Sequence, residues 1–180
     1  MSGGEAGLSR DMAFSPSILK SWPLIAAAAA AAMLATAHGF ETFGHYDPCT
    51  LCLRQREVYW AALATGLIGF GLGQTGRRHE RTASLILGVL FAAGALTAAW
   101  HAGAEWKWWP GPTSCASAGR ATLSQSAMAD LFAGAKIHAP ACDEASWRLF
   151  GLSMAGYNFL ISVVLSVVSL LVAFRGKLRK

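Results

Sequence analysis

Four long stretches of this chain contain no Asp, Glu, Lys or Arg, at residues 22–40, 58–76, 82–100 and 149–174. A helix that crosses the roughly 30 Å hydrocarbon core of a bilayer needs about 20 predominantly apolar residues, because it rises about 1.5 Å per residue. The composition agrees, since 54% of the 180 residues are hydrophobic and only 14% are charged, which is unusual for a soluble domain. The sequence therefore predicts an all-α membrane protein, a four-transmembrane-helix bundle.

The domain organisation follows from these stretches. We expect one membrane domain at 21–176, with spans at about 22–40, 58–76, 82–100 and 152–174 and external loops at about 41–57 and 101–151. A disordered arm at 1–20 and a basic tail at 177–180 are expected to flank it. The alanine run at 26–32 weakens the first span, because alanine favours membrane insertion less than leucine does. A soluble alanine-rich helix and a cleaved signal peptide are the alternatives for this segment.

The distribution of Lys and Arg predicts which ends of the spans face the cytoplasm. One side of the bundle would hold nine basic and three acidic residues, and the other would hold six basic and seven acidic residues. Because positively charged loops tend to stay in the cytoplasm, both termini are predicted to be cytoplasmic. The net charge of +5 then reflects topology, since basic residues at span ends do not form the basic face that binds nucleic acid.

All four cysteines, Cys49, Cys52, Cys115 and Cys142, fall in the predicted external loops. An oxidising compartment outside the cytoplasm permits disulfides, so two cysteines in each loop predict two redox-competent pairs. Four cysteines allow three pairings, and the spacing does not decide among them. A zinc site is the main alternative, because two cysteines separated by two residues supply half of many zinc sites.

Cys49 and Cys52 form a C-x-x-C motif where the chain enters the second predicted span. The unpaired N–H groups of a helix N-terminus stabilise a thiolate, which is the form of cysteine that attacks and leaves. Arg56 is expected on the same helix face, because positions 49, 52 and 56 differ by three and four residues. Its charge is expected to lower the pKa of Cys52, and an arginine that only anchors the helix at the membrane boundary is the alternative.

The second external loop is long enough to move, and a helical pattern lies between its two cysteines. The apolar residues that recur at near-helical spacing are Leu123, Met128, Leu131 and Phe132. They predict a short amphipathic helix, either on the membrane surface or packed against the protein.

Aromatic residues and a histidine mark the boundary between the third span and this loop. The tryptophans are Trp100, Trp106, Trp108 and Trp109. They match an aromatic belt at a membrane surface, and a wall of a ligand pocket is the alternative. His101 ends the third span, where an imidazole can donate a hydrogen bond or a proton to a ligand at the membrane boundary.

An ordered set of motifs extends from the first span to the fourth. The set is Pro48-Cys49-Thr50-Leu51-Cys52, Gln55-Arg56, His101, Trp109-Pro110-Gly111-Pro112 before Cys115, and Cys142 before Phe150-Gly151-Leu152-Ser153-Met154. In these residues the sequence resembles the disulfide bond formation protein B (DsbB) family. The resemblance implies a four-helix protein of the bacterial inner membrane with both termini in the cytoplasm, periplasmic cysteine loops and a bound quinone, either ubiquinone or menaquinone.

The resemblance also implies a role for each motif residue. Cys49 and Cys52 would face the quinone, with Cys52 contacting it as a thiolate, and Arg56 and His101 would help to bind it. Cys115 would form a mixed disulfide with a periplasmic DsbA-like thiol oxidoreductase, and Cys142 would be the original disulfide partner of Cys115. The implied activity is a quinone-dependent protein-disulfide oxidoreductase, with a non-enzymatic membrane assembly or zinc-binding protein as the alternative.

Overall fold

Each predicted span corresponds to a long helix in the computed structural model, which describes residues 16–111 and 142–175. Within these residues the helices are α1 (Pro16–Gly44), α2 (Thr50–Gly73), α3 (Arg77–Glu105) and α4 (Met154–Arg175). Consecutive helices pack against each other, and the contact between α3 and α4 is the most extensive. The first 15 residues of the predicted arm, the predicted surface helix and the basic tail lie outside the described residues.

The hydropathy of the helices supports a membrane fold. Three of the described helices contain segments long and apolar enough to cross a bilayer, at Lys20–Gly44, Arg78–Glu105 and Met154–Phe174. The second helix is less apolar, because Arg54, Arg56 and Glu57 lie in its first two turns. A helical, multi-pass membrane protein is therefore confirmed, and the crossing of the membrane by α2 stays a prediction.

The alanine-rich sequence of α1 forms one of the packed faces of the bundle. Every fourth residue from Trp22 is buried, namely Trp22, Ala26, Ala30 and Leu34. This spacing places them in one row along the helix, and the small alanine side chains let neighbouring helices approach closely. The indole Nε1 of Trp22 also donates a hydrogen bond of 3.0 Å to Ser169 Oγ on α4. The segment that looked weakest in hydropathy is therefore well packed in the bundle.

Two glycines of α2 lie where neighbouring helices come closest. A Cβ atom at Gly66 would lie 2.5 Å from the carbonyl oxygen of Pro23 on α1. A Cβ atom at Gly69 would collide with Ala83 of α3. Only glycine permits these approaches, because real Cβ atoms do not come so near to another heavy atom.

A short hairpin leads into α4 and was not predicted from the sequence. Its strands are β1 (Arg148–Leu149) and β2 (Leu152–Ser153), which pair antiparallel. The two turn residues, Phe150 and Gly151, have φ angles of 50° and 82°, as expected for a two-residue turn with positive φ at both positions. Ser153 then caps α4, since its Oγ accepts a 3.1 Å hydrogen bond from the Gly156 N–H.

Large apolar side chains cover the outer surface of the helices. Ile68 on α2, Leu96 on α3 and Val164 on α4 are each at least 60% exposed. Contiguous apolar surface of this kind is costly in water and favourable in lipid. The outer surface of the bundle is therefore suited to contact with acyl chains.

Candidate functional site

The C-x-x-C motif lies at the N-terminus of α2, with Cys49 as the capping residue. Cys49 has an extended backbone, and its sulfur accepts a 3.3 Å hydrogen bond from the Cys52 N–H. The two sulfur atoms are 3.0 Å apart, and both cysteines are reduced. A sulfur atom thus takes the place that a Ser or Asp oxygen occupies in most helix caps, where the helix dipole favours negative charge.

The two thiols differ in their tendency to ionise. The hydrogen bond from the Cys52 thiol, aided by His101, lowers the pKa of Cys49 to about 4 even though burial opposes ionisation. The same sulfur–sulfur hydrogen bond, together with burial, raises the pKa of Cys52. The pair therefore shares one proton, and the negative charge of the reduced pair resides on Cys49.

His101 on α3 lies against the cysteine pair. Its Nε2 atom is 3.7 Å from Cys49 Sγ, and its Nδ1 atom is 3.0 Å from the side-chain nitrogen of Gln55. If that amide nitrogen donates to Nδ1, the neutral ring carries its proton on Nε2. The Nε2–H group then points to Cys49, where it stabilises a thiolate.

A buried chain of polar side chains fixes the orientation of Gln55. Asn158 Nδ2 on α4 donates to Gln55 Oε1, and Tyr59 OH donates to Asn158 Oδ1. Ser162 Oγ completes the group, 2.9 Å from the Tyr59 hydroxyl. Because Asn158 donates to the Gln55 oxygen, the Gln55 nitrogen is left to face His101. Sequence reasoning did not single out Asn158 or Tyr59, and the one available signal was an amide residue within the apolar fourth span.

Glu105 is a second group that sequence reasoning did not assign to the site. It lies one helical turn after His101, and its Oε1 is 3.6 Å from His101 Nε2. The side chain is buried, and its other oxygen, Oε2, has no hydrogen-bond partner among the described residues. A buried carboxylate oxygen without a donor is costly, so this position marks the site as more than a packing interface. The signal in the sequence was the i, i+4 spacing from His101.

Arg56 lies one turn beyond Cys52, as the helical spacing predicts, but its guanidinium is already paired. Its Nη1 donates to Glu41 Oε2 at 2.5 Å, and its Nη2 donates to the Ala37 carbonyl at 3.2 Å. Both acceptors lie near the end of α1. Arg54 points away from the site and forms an exposed ion pair with Glu57.

A cavity of about 350 Å³ lies beside Cys52. All four helices contribute to it, and most of the surface is apolar, from residues such as Met33, Phe40, Trp147 and Ile161. Cys52, Arg56 and His101 provide polar groups on one side. This volume and lining are typical of a site that binds a small, largely apolar ligand. The four tryptophans at 100–109 are not among its lining residues within the described chain.

A smaller cavity of about 40 Å³ contacts both sulfur-bearing residues from another direction. Its polar lining includes Asp47, Glu105 and Glu144. The volume is large enough for a water molecule. Of these two cavities, Cys49 lines the smaller one, whereas Cys52 lines both.

The two remaining predicted site residues belong to the second loop. Cys142 is buried and disulfide-bonded, and Cys115 lies outside the described residues. Asp143, next to Cys142, forms a 2.6 Å ion pair with Lys107 just after α3. This ion pair lowers the pKa of Asp143 and holds the Cys142 segment near the end of α3.

The assembled groups are suited to thiol chemistry. Cys49 Sγ, Cys52 Sγ and His101 Nε2 lie within 4.8 Å of one another, a spacing that a metal ion could also use. A stabilised thiolate, a neighbouring thiol and a hydrogen-bonding imidazole are the groups that thiol–disulfide exchange requires. Fold and site together define a helical membrane protein with a reactive dithiol beside an apolar cavity.

Comparison with known families identifies the family to which this membrane protein belongs. The chain matches the family model described as disulfide bond formation protein DsbB over residues 19–172, and it belongs to that family. Comparison with curated proteins returns no significant match. Membership implies a role in disulfide bond formation at a membrane, which agrees with the dithiol at the start of α2.

Proposed function

We propose that this protein reoxidises a periplasmic DsbA-like dithiol oxidoreductase and passes the electrons to a membrane quinone. The observation that carries this proposal is the position of Cys52, which is 3.0 Å from a stabilised Cys49 thiolate and also lines the large apolar cavity. A dithiol in such a place can exchange electrons with an apolar acceptor that enters from lipid. We place the protein in the bacterial inner membrane, with both cysteine loops periplasmic.

The cavity residues fit a quinone. A quinone combines a flat apolar ring and an isoprenoid tail with two carbonyl oxygens, and the cavity combines apolar walls with a few hydrogen-bond donors. Arg56 and His101 would hold the oxygens, and Cys52 would contact the ring. The quinone supplies a two-electron acceptor, and the guanidinium would stabilise negative charge that develops on it.

The electron path uses both cysteine pairs. A thiolate of the partner attacks the Cys115–Cys142 disulfide at Cys115, and Cys142 leaves as a thiolate that takes up a proton. The second thiol of the partner then attacks the mixed disulfide, which releases the partner with its own disulfide and leaves Cys115 and Cys142 as thiols. The Cys115–Cys142 pair, now reduced, passes its electrons to the Cys49–Cys52 disulfide by thiol–disulfide exchange. The Cys49–Cys52 dithiol would supply two electrons and two protons to convert a quinone into the quinol, and the Cys49–Cys52 disulfide would form again. The net reaction converts one dithiol and one quinone into one disulfide and one quinol.

The energetics explain why a non-protein acceptor is needed. A DsbA-like partner has a reduction potential near about −120 mV, whereas structural disulfides lie below about −300 mV. Because about 30 mV corresponds to about 1.4 kcal/mol for two electrons, an ordinary disulfide would be a poorer oxidant by about 8 kcal/mol. A quinone that the respiratory chain reoxidises can accept the electrons in place of a protein disulfide.

Purification from bacterial membranes tests the quinone site. We expect bound quinone and a visible absorption band, which arises when Cys52 gives up its proton and contacts the quinone ring as a thiolate. The Cys52→Ser variant should lose the band while keeping the helical fold. Purified protein that holds no quinone and reduces none in the presence of a dithiol would contradict the proposal.

Trapping tests the proposed point of electron entry. The Cys142→Ser variant should accumulate a mixed disulfide through Cys115 with a periplasmic protein, which mass spectrometry would identify. The Cys115→Ser variant is the matched control and should trap no such adduct through Cys142. If neither variant forms an adduct in cells with an oxidising periplasm, the assigned role of Cys115 is wrong.

Zinc binding is the second candidate, because two sulfur atoms and one imidazole nitrogen lie close together. Thiolates and imidazoles are preferred zinc ligands, and a structural site needs a fourth ligand. Metal analysis of the purified protein separates the two functions. One zinc ion per chain, without quinone, would favour this alternative over the oxidase.

A further inference from the structure

A positively charged side chain lines the large cavity, and the carboxylate paired with it does not. Arg56 is among the lining residues and Glu41 is not, although the two side chains are joined at 2.5 Å. The Arg56 side chain is only 14% exposed, whereas that of Glu41 is 35% exposed. Because Glu41 does not line the cavity, it can act on the cavity through its contact with Arg56.

This ion pair weakens the electric field that Arg56 exerts in the cavity. An unpaired guanidinium would present a full positive charge to Cys52 and to any bound acceptor, whereas a close ion pair presents a weaker dipolar field. The pair also fixes the guanidinium, because Nη1 and Nη2 are held by Glu41 and by the Ala37 carbonyl. His38 lies near the same carboxylate, with Nδ1 3.7 Å from Glu41 Oε2, and is exposed.

We propose that Glu41 is a positioning residue for the electron-accepting cavity, which holds Arg56 against α1 and offsets its charge, and so limits the activation of Cys52. This inference rests on the proposed function only in naming the cavity as the acceptor site. In the resting protein Cys52 would keep its proton and stay weakly reactive toward other oxidants or alkylating agents. The remaining guanidinium N–H groups stay available for an acceptor oxygen.

The chain offers a matched control for this proposal. Arg54 and Glu57 form a second ion pair on the same helix, three residues apart and exposed. Removal of the Glu57 charge tests the effect of any carboxylate near the start of α2. Of these two carboxylates, Glu41 is the one joined to the arginine of the cavity.

The experiment measures alkylation of Cys52 by iodoacetamide in quinone-free, detergent-solubilised protein at pH 7. A Cys49→Ser background removes the sulfur that shares a proton with Cys52 and keeps an oxygen that can cap α2. Peptide mass spectrometry then reports the Cys52 rate alone. Glu41→Gln should raise this rate about tenfold, because an unshielded guanidinium one helical turn from the thiol is expected to lower the thiol pKa by about one unit or more. Glu57→Gln should change it by less than about twofold.

A double-mutant cycle shows whether Glu41 acts through Arg56. In an Arg56→Gln background, Glu41→Gln should have almost no effect on the Cys52 rate. An unchanged or slower rate in Glu41→Gln alone, or the same increase without Arg56, would overturn the proposal. If Glu41→Gln does not fold, as judged by circular dichroism, Glu41→Asp replaces it. The shorter carboxylate should loosen the pair and raise the rate, and an unchanged rate would also overturn the proposal.

The outcome is independent of the quinone assignment. The alkylation rates require no quinone, so they test the role of Glu41 even if the protein proves to bind none. Conversely, wild-type protein that reduces a short-chain ubiquinone, together with equal rates in the Glu41→Gln and Glu57→Gln variants, would keep the proposed function and remove this inference.

Discussion

The proton shared by Cys49 and Cys52 leads to the sharpest prediction. The pKa of Cys49 falls from an ordinary value of 9.0 to about 4, and the largest cause is the hydrogen bond from the Cys52 thiol. The Cys52→Ala variant removes this donor, so the pKa of Cys49 should rise toward its ordinary value. The Cys52→Ser variant keeps a hydroxyl donor and should retain part of the shift.

The expected magnitude is large at neutral pH. A thiol with a pKa of 9 is about 1% ionised at pH 7, whereas one with a pKa of 4 is more than about 99% ionised. Reduced wild-type protein should therefore carry close to one thiolate per pair across the neutral range. The second thiol should stay protonated, because the pKa of Cys52 is raised.

The ultraviolet absorbance of the thiolate measures this state. The difference between reduced and oxidised protein, followed from pH 3 to pH 10, should show one ionisation on the acid side and a plateau of one thiolate. Protein with Cys52→Ala should show no plateau near neutral pH. Ionisation of both wild-type thiols together near pH 9 would refute the shared proton.

The shared proton also makes the free energy of unfolding depend on pH, in a direction that can be worked out. Between pH 4 and pH 9 the unfolded pair binds two protons and the folded pair binds one, so stability rises with pH. Above pH 9 the unfolded pair loses both protons while folded Cys52 keeps one, and stability falls. The slope cannot exceed about 1.4 kcal/mol per pH unit for one proton. Protein with the Cys49–Cys52 disulfide lacks these thiols and is the control, so equal profiles for the two forms would contradict the argument.

Three further predictions concern packing and the polar network. Gly66→Ala should lower the free energy of unfolding by about 1–3 kcal/mol, because the new Cβ meets a backbone oxygen at 2.5 Å; Gly71→Ala, with open space around it, should be neutral or stabilising in the same thermal scan. Asn158→Leu should cost about 1–3 kcal/mol, since it leaves Gln55 Oε1 and the Tyr59 hydroxyl without that partner, and an unchanged midpoint would mean that the network is not needed for stability. Lys107→Ala should return the pKa of Asp143 toward its ordinary value, as measured by NMR titration, because Lys107 causes the lowering; a pKa that stays low would assign the shift to another group.

Local features of this site could be predicted from the sequence, because they depend on residues close in the chain. The charge-free stretches predict the helices, and the 49–52–56 spacing places Arg56 one turn beyond Cys52. The C-x-x-C motif at the start of a helix predicts a capped sulfur, which the structure has at Cys49. Each of these depends on helical periodicity alone.

The partners of these residues could not be predicted, because they depend on how each helix is rotated against its neighbours. The distance along the chain between Asn158 and Gln55 carries no information about their contact. Glu41 appears in the sequence as an ordinary charge after the first span, and only packing of α1 against α2 brings it to Arg56. Arg56 does lower the pKa of Cys52, as the helical spacing predicts, but the sulfur–sulfur hydrogen bond and burial outweigh it and could not be predicted from the spacing.

The two cavities suggest why the Cys49 and Cys52 thiols differ in their tendency to ionise. Of these two cavities, Cys49 lines only the small one, which Glu105 and Glu144 also line, and Glu144 lies two residues after Cys142. Cys52 faces the large apolar cavity as well. Under the proposed function, a thiolate held on Cys49 would be placed for exchange with the second loop, and the proton on Cys52 would delay its reaction until an acceptor occupies the apolar side. With this division, Cys49→Ser should abolish exchange with the Cys115–Cys142 pair and leave quinone binding intact. Cys52→Ser should instead abolish the quinone contact. Equal loss of both properties in each variant would mean that the two sulfurs do not have separate roles.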